Sequence, residues 1–337
     1  MTILVTGGAG YIGSHTCVEL LMAGHDLVAT DIVVVDNFCN SDMDAIEGIK
    51  KITGKDFPFY QADLRDSKAL DEIFEKHKID CIIHFAGLKA VGESVAMPKE
   101  YYDNNINSTL NLCAAMKKHG VKKLIFSSSA TVYRGDNPMP LKEDSELGCI
   151  NPYGWSKFMC EQILQDCAKA EDWSVVLLRY FNPVGAHESG IIGESPRGVP
   201  NNLMPFIVQT AKGIHKELKV FGDDYDTTDG TGVRDYIHVV DLAVGHIKSI
   251  DFCNKNTGCH IFNLGTGQGV SVLEMVETFK KVNKVDVPYI VTERRPGDNP
   301  TSYADPKKAE EILGFKAVKS VEDMCKDSWG YTGKGGV

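Results

Sequence analysis

Thr6-Gly7-Gly8-Ala9-Gly10-Tyr11-Ile12-Gly13 follows the apolar run Ile3-Leu4-Val5 and opens an amphipathic stretch over residues 11–23. Strand, glycine turn and helix in that order make a unit that cradles phosphate. Gly7, Gly10 and Gly13 let the backbone turn tightly, approach a pyrophosphate and pack helix on strand. The helix N-terminus adds free N–H groups and the positive end of its dipole. In this context the glycines predict a dinucleotide bound on a Rossmann-type sheet. The competing explanation is a tight strand–helix turn without a ligand.

Outward from that turn, short apolar runs alternate with longer amphipathic ones. Strands are expected at 3–6, 33–35, 57–61, 81–85, 124–127 and 175–179, and helices at 11–23, 42–53, 67–76, 98–119 and 153–170. Several strand runs lack polar alternation, as parallel strands buried on both faces should. The class is α/β, a doubly wound parallel sheet with helices on both faces. After Arg179 the pattern changes. Residues 182–202 are rich in Gly, Pro and Asn and read as a loop. Shorter elements follow: helices near 204–214, 271–282, 307–313 and 321–329, and strands near Val220, Ile237 and Ile261. This predicts a dinucleotide domain over 1–181 and a smaller α/β substrate domain over 182–337, with some chain crossing between them.

On such sheets ligands sit at the carboxyl ends of strands. An acidic residue ending the second strand would accept from the adenosine ribose. Asp31 lies 18 residues after Gly13 and Asp36 lies 23 after. Asp36 ends the apolar run 32–35 and precedes Asn37, so it is preferred. A carboxylate there favours NAD over NADP, because it repels a 2′-phosphate. Asp63-Leu64 and Phe85-Ala86-Gly87 follow the third and fourth strands and are placed to touch adenine and diphosphate.

Ser129 follows the strand at 124–127, and Tyr153 and Lys157 are four residues apart, on one face of a helix. Asn151-Pro152 supports a helix start just before Tyr153. A free phenol ionises near pH ~10, too high for a general base near neutrality. A nearby ammonium favours the phenolate. Serine, tyrosine and lysine in this arrangement predict proton transfer coupled to hydride chemistry on a nicotinamide.

The net charge of −10 argues against a nucleic-acid partner, which needs a basic footprint. Ten cysteines show no C-x-x-C pair, and ten histidines show no H-E-x-x-H, so no metal is expected. No apolar run approaches the ~20 residues that span a bilayer. The run Ile3-Leu4-Val5 leaves no room for a leader, so a cytoplasmic location is expected.

The glycine turn, Ser129 and the Tyr153–Lys157 pair resemble the extended short-chain dehydrogenase/reductase family. Longer blocks resemble its nucleotide-sugar epimerases: 84–94, Tyr101-Tyr102-Asp103-Asn104-Asn105, 127–133, 179–187, Pro200-Asn201-Asn202-Leu203-Met204-Pro205 and 229–238. The likeness covers residues 2 to 329. It implies NAD-dependent inversion at C4 of a UDP-hexose, interconverting UDP-galactose and UDP-glucose through a 4-keto sugar. Tyr153 would take the hydroxyl proton, Ser129 would bond the same oxygen, and Lys157 would lower the tyrosine pKa and hold the nicotinamide ribose. Tyr11, Ile12, Lys89, Asn104 and Phe181 match cofactor contacts. Asn182 matches a hexose contact, Asn202-Leu203 and the forked donors of Arg234 and Arg295 match diphosphate anchors, and Asp298 matches a uridine-ribose acceptor. Ser302 matches a position beside the sugar C2 substituent, where a small side chain leaves room for an N-acetyl group. The resemblance also implies a homodimer packed through helices 98–119 and 153–170.

Two departures stand out. The segment from His25 to Asn37 is about five residues longer than the family's helix-to-acid spacing, so Asp31 fits by spacing and Asp36 by motif. Arg134 is inserted after Tyr133 and is expected to push the adjacent loop outward without moving the strand. A 4,6-dehydratase of the same fold is the nearest rival. Such enzymes carry Asp-Glu after the catalytic hydroxyl, where this chain has Ala130-Thr131. A catalytically dead cofactor-binding regulator is a rival from another class; it would be free to lose Tyr153 or Lys157, yet both are present.

Overall fold

The computed structural model describes residues 1–23, 31–198, 200–295 and 297–332. Residues 24–30, most of the lengthened segment before Asp36, lie outside the described residues. The first half runs β1 (Thr2–Thr6), α1 (Tyr11–Met22), β2 (Asp31–Asp36), α2 (Met43–Thr53), β3 (Phe59–Gln61), α3 (Ser67–Lys76), β4 (Cys81–His84), α4 (Val91–Ala96), α5 (Pro98–His119), β5 (Lys123–Ser129), α6 (Pro152–Glu171) and β6 (Ser174–Tyr180). The second runs β7 (Asn182–Val184), α7 (Leu203–Ala211), β8 (Leu218–Phe221), β9 (Val233–Arg234), β10 (Tyr236–His238), α8 (Val239–Cys253), β11 (Gly258–Leu264), β12 (Val270–Ser271), α9 (Val272–Asn283), β13 (Tyr289–Thr292), β14 (Thr301–Ser302) and α10 (Val321–Gly330).

Seven parallel strands form the main sheet in the order β11-β6-β5-β4-β1-β2-β3. Alternation along each strand divides its side chains between two cores. Ile3, Val5, Ile32, Val34 and Ile83 pack on one face with α1, α2 and α8. Leu4, Val33, Val35, Ile82 and Leu124 pack on the other with α3, α5 and α6. Both faces being dry accounts for the unbroken apolar runs.

The second half is built on small pairings: β7 with β10, β9 between β12 and β14, and β8 with β13. A separate core of Val184, Met204, Val220, Met275, Phe279 and Met324 joins them to α7, α9 and α10. The chain does not stay in this half after residue 182. It returns through α8 to add β11 beside β6, residue by residue from Gly258↔Ser174 to Leu264↔Tyr180. The stretch expected as loop from residue 182 begins with a short strand, because Asn182–Val184 pairs with Tyr236–His238. No helix among the described residues is long and apolar enough to cross a membrane.

Candidate active site

The glycine turn links the end of β1 to the start of α1. Gly7 has φ 72°, and a Cβ there would stand 2.6 Å from the Ala86 nitrogen. A Cβ on Gly13 would stand 2.2 Å from the Gly7 carbonyl oxygen. Neither position admits a side chain. Gly10 precedes α1, and no side chain caps that helix, so its first-turn amides face the glycine turn without a side-chain acceptor. The Tyr11 hydroxyl donates to the Gly185 carbonyl at 2.6 Å, and Ile12 packs against the core beneath.

Asp36 and Asp31 occupy opposite ends of β2. Asp31 opens the strand and is exposed; Asp36 closes it and is buried. The Asp36 carboxylate accepts from the Ala9 amide (3.1 Å), the Phe38 amide (2.9 Å) and the Ser41 hydroxyl (2.7 Å). It therefore lies against the glycine turn, at the carboxyl edge where sheet ligands bind. Asn37 donates to Asp63 at 3.1 Å. Arg65 grips Asp63 with two donors and, helped by its own amide and Asn37 against burial, holds that carboxyl down at about 2. Leu64 is buried. The Phe85 and Ala86 amides both donate to Thr6, closing β4 against β1, and Gly87 sits beside Asn105 and Lys157.

Ser129 is the last residue of β5. Asn151 caps α6 by accepting from the Gly154 amide at 2.9 Å, with Pro152 at the first helical position, which places Tyr153 in the first turn. Burial raises the Tyr153 pKa, and a hydrogen bond with Ser129 lowers it in part. Lys157, buried one turn on, donates to the Ser127 carbonyl at 2.7 Å and lies 4.8 Å over the Phe126 ring. Burial brings its pKa down to about 8, against the pull of Cys160 and Glu161. Lys157 gives one of its three N–H donors to the Ser127 carbonyl, and the hydrogen bond with Ser129 favours the Tyr153 phenolate.

Glu161, not anticipated from sequence, completes this face of α6. Its carboxylate accepts from the Ser128 hydroxyl (2.5 Å) and from two nitrogens of Arg179 (2.9 and 2.7 Å), with both members of the ion pair fully buried. It thereby fixes the end of β5 next to Ser129. Tyr153, Lys157 and Glu161 follow one another at four-residue spacing, a signal the sequence carried. Asn105 is a second unanticipated member: it holds Leu88 by both backbone groups and donates to Ser156 at 2.8 Å. Its neighbour Asn104 sits on α5, partly buried.

On the other side, Asp298 gathers both arginines, at 3.0 Å from Arg234 and 3.2 Å from Arg295. Carboxylate oxygens have spare lone pairs, so Asp298 retains capacity to accept. Arg295 lies 4.7 Å over the half-exposed ring of Phe221 at the end of β8, an apolar shelf the sequence did not announce. Ser302 pairs in register with Arg234. A hollow of about 630 Å³ lined by Val233, Tyr303, Asp229 and Glu274 opens beside residues that alternate with those two, away from the guanidinium cluster. Asn182 donates to the Asp235 carbonyl at 3.0 Å, and Phe181 is buried just before it. Asn202 precedes α7, whose first residue is Leu203, and donates to Glu194 at 2.7 Å; Lys89 meets the same carboxylate oxygen at 3.2 Å. The inserted Arg134 pairs with Asp136 and Glu146 at the surface, and β5 still ends at Ser129. Among the described residues no cluster of three or more His, Cys, Asp or Glu could hold a metal ion.

A protein-family model described as GDP-mannose 4,6 dehydratase matches residues 4–328. The UDP-glucose 4-epimerase of Bacillus subtilis is 58% identical over 330 residues, covering 98% of this chain and 96% of that protein. The chain belongs to the UDP-glucose 4-epimerase family. Solved epimerases share its shape. That of Bifidobacterium longum, in complex with NAD+ and UDP, superposes with a TM-score of 0.93 at 53% identity, covering 98% of both chains. That of Stenotrophomonas maltophila, with NAD and formylated UDP-arabinopyranose, has a TM-score of 0.95 at 48% identity, covering 98% of this chain and 97% of that one. Within the broader dehydratase-named family, an epimerase has no use for an acid/base pair after its catalytic hydroxyl. This chain has Ala130 there and Thr131, whose hydroxyl donates to Ser129 at 3.0 Å.

Proposed function

We propose that the chain interconverts UDP-galactose and UDP-glucose by inverting C4 of the hexose through a 4-keto sugar, with NAD as resident cofactor. One observation carries this: Ser129, Tyr153 and Lys157 share the carboxyl edge of a sheet whose β1–α1 turn excludes side chains, as a dinucleotide requires.

Tyr153 takes the C4 hydroxyl proton, and Ser129 bonds the same oxygen while favouring the phenolate. Lys157 would add positive charge from the next turn and hold ribose hydroxyls of the cofactor with its remaining donors. NAD supplies the acceptor and donor for the hydride at C4. Gly7, Gly10, Tyr11, Ile12 and Gly13 would hold the pyrophosphate of the cofactor, Asp36, Asn37, Asp63 and Leu64 its adenosine, and Phe85, Ala86, Gly87, Lys89, Asn104 and Phe181 the remainder. Arg234, Arg295, Asn202 and Leu203 would hold the UDP diphosphate, Asp298 the uridine ribose and Asn182 the hexose. Anchoring by the charged UDP rather than by the hexose would let the keto sugar present either face. The cofactor belongs to 1–181 together with the returning α8 and β11, and UDP-sugar to the rest of 182–337.

Purified protein given UDP-galactose without added NAD should form UDP-glucose, measured with a coupled dehydrogenase. Tyr153→Phe should slow this about a thousandfold. A Phe variant of undiminished rate would end the proposal, as would a dead regulator's indifference to the change.

Ser302 beside Arg234 supports acceptance of N-acetylated UDP-hexoses too. Turnover of UDP-N-acetylglucosamine should be measurable and should fall selectively in Ser302→Tyr; no turnover in the wild type removes this extension. Exposed Leu110, Trp155 and Met159 on α5 and α6 support a homodimer through these helices. Ten free thiols support a reducing, cytoplasmic setting in galactose metabolism.

A further inference from the structure

Residues 185–198 connect β7 toward α7 and touch α1, α2, the loop that follows β2, Lys89 and Asn202. Gly185 accepts from the Tyr11 hydroxyl. Ile192 packs on Gly48 of α2, where a Cβ would stand 2.6 Å from it. Arg197 donates to the Cys39 and Ser41 carbonyls at 3.2 and 2.5 Å, tying the segment to the loop that follows Asp36. Midway stands Glu194. Its Oε1 accepts from Lys89 Nζ at 3.2 Å and from Asn202 Nδ2 at 2.7 Å. Lys89 itself lies 5.8 Å over the Tyr11 ring. One carboxylate oxygen thus joins a side chain on the cofactor side to the residue that precedes α7 on the diphosphate side.

We propose that Glu194 is a positioning residue that couples the cofactor site to the diphosphate site, aiming the Lys89 ammonium and the α7 N-terminus from a single anchor. This rests on the assignment of Lys89 to cofactor and Asn202 to UDP. The Glu194 side chain is 11% exposed and that of Lys89 51%. A pair with one half-exposed member adds little to folding, so stability does not explain a nearly buried carboxylate at this junction. The two bonds it accepts fix donors that would otherwise be free to rotate, and a charged acceptor holds them more firmly than a neutral one. Because Asn202 and Lys89 share one oxygen, displacing either perturbs the other.

The test uses NAD-loaded protein and the variants Glu194→Gln, Glu194→Asp, Lys89→Met and the Gln/Met double variant. UDP binding is followed by calorimetry, NAD release by gel filtration over time, and KM and kcat by turnover. Glu194→Gln should weaken UDP about tenfold and speed NAD release about fivefold, with the loss falling on KM more than kcat. Glu194→Asp should recover part of both, and the double variant should be no worse than the worse single, because coupled groups fail additivity. The proposal is overturned if Glu194→Gln leaves both bindings within about twofold, if the double variant is additive, or if Glu194→Gln lowers Tm by more than about 5 °C, the mark of a structural role. If Lys89→Met leaves NAD release untouched, the assignment of Lys89 fails and the coupling falls with it.

Discussion

Around Gly7 and Gly13 positions are set by backbone against backbone, with no room for one methyl group. Around Arg234 they are set by charge against charge: two guanidiniums converge on Asp298 from segments 61 residues apart, Arg234 and Arg295. The proposed cofactor side is a backbone mould, a glycine turn closed by Ala86 at the end of β4. The proposed UDP side is a set of paired side chains brought together from separate short elements. A mould tolerates no added volume; a charge cluster tolerates replacement of one member with its fold intact and loses affinity.

The largest test of that contrast is Gly13→Ala. Its Cβ meets the Gly7 carbonyl at 2.2 Å, so the turn must open. The protein should purify without NAD and lose at least about a hundredfold in activity, checked by cofactor content and turnover. Normal NAD content would break the comparison. Next, Arg234→Met should raise KM for UDP-galactose roughly ten- to a hundredfold through loss of a charge-assisted phosphate contact, with NAD content unchanged. An equal loss of NAD would show that the halves are not separable in this way.

The last test concerns Lys157, where the two designs meet. Its pKa is about 8 in the folded chain against 10.5 in an exposed lysine. Between those values the unfolded chain binds more protons, so stability rises as pH rises from about 8 to 10.5, and the charged lysine opposes folding below that window. The gap corresponds to about 3 kcal/mol. Denaturant titrations across pH 7–10 should show this upward trend in the wild type and not in Lys157→Met. A flat difference between them would remove the claim that the ammonium is held at a cost to stability.

Much of this was legible in sequence. Residues 67–76 and 98–119 form helices with those bounds, because capping and apolar spacing agree there. Asp36 is set apart from Asp31 by its place at the end of an apolar run, and the structure shows the two at opposite ends of β2. The α8 helix was missed since Val239, Leu242, Ala243, Gly245, Ile247 and Ile250 are buried around much of its circumference, which erases the amphipathic period. The strand near Ile261 was expected, but its partner β6 lies 84 residues earlier (Ser174 against Gly258), and pairing over that range leaves no local mark. Glu194 and Phe221 stayed hidden for the same reason. A Glu in a Gly/Pro stretch and a Phe ending a four-residue strand acquire meaning only from what the fold sets beside them.

The return of the chain as β11 also governs how the molecule can come apart. The polypeptide passes between its halves after β6, before α8, after β11, before the buried turn Ala309–Leu313 and again before α10, so the halves are stitched at five places. A fragment ending at residue 181 would leave the hydrogen-bonding edge of β6, Ser174–Tyr180, bare and apolar on both faces. Such an edge seeks another strand, and the fragment should precipitate rather than fold as a free-standing nucleotide module. The same stitching opposes a wide clamshell swing on a single hinge.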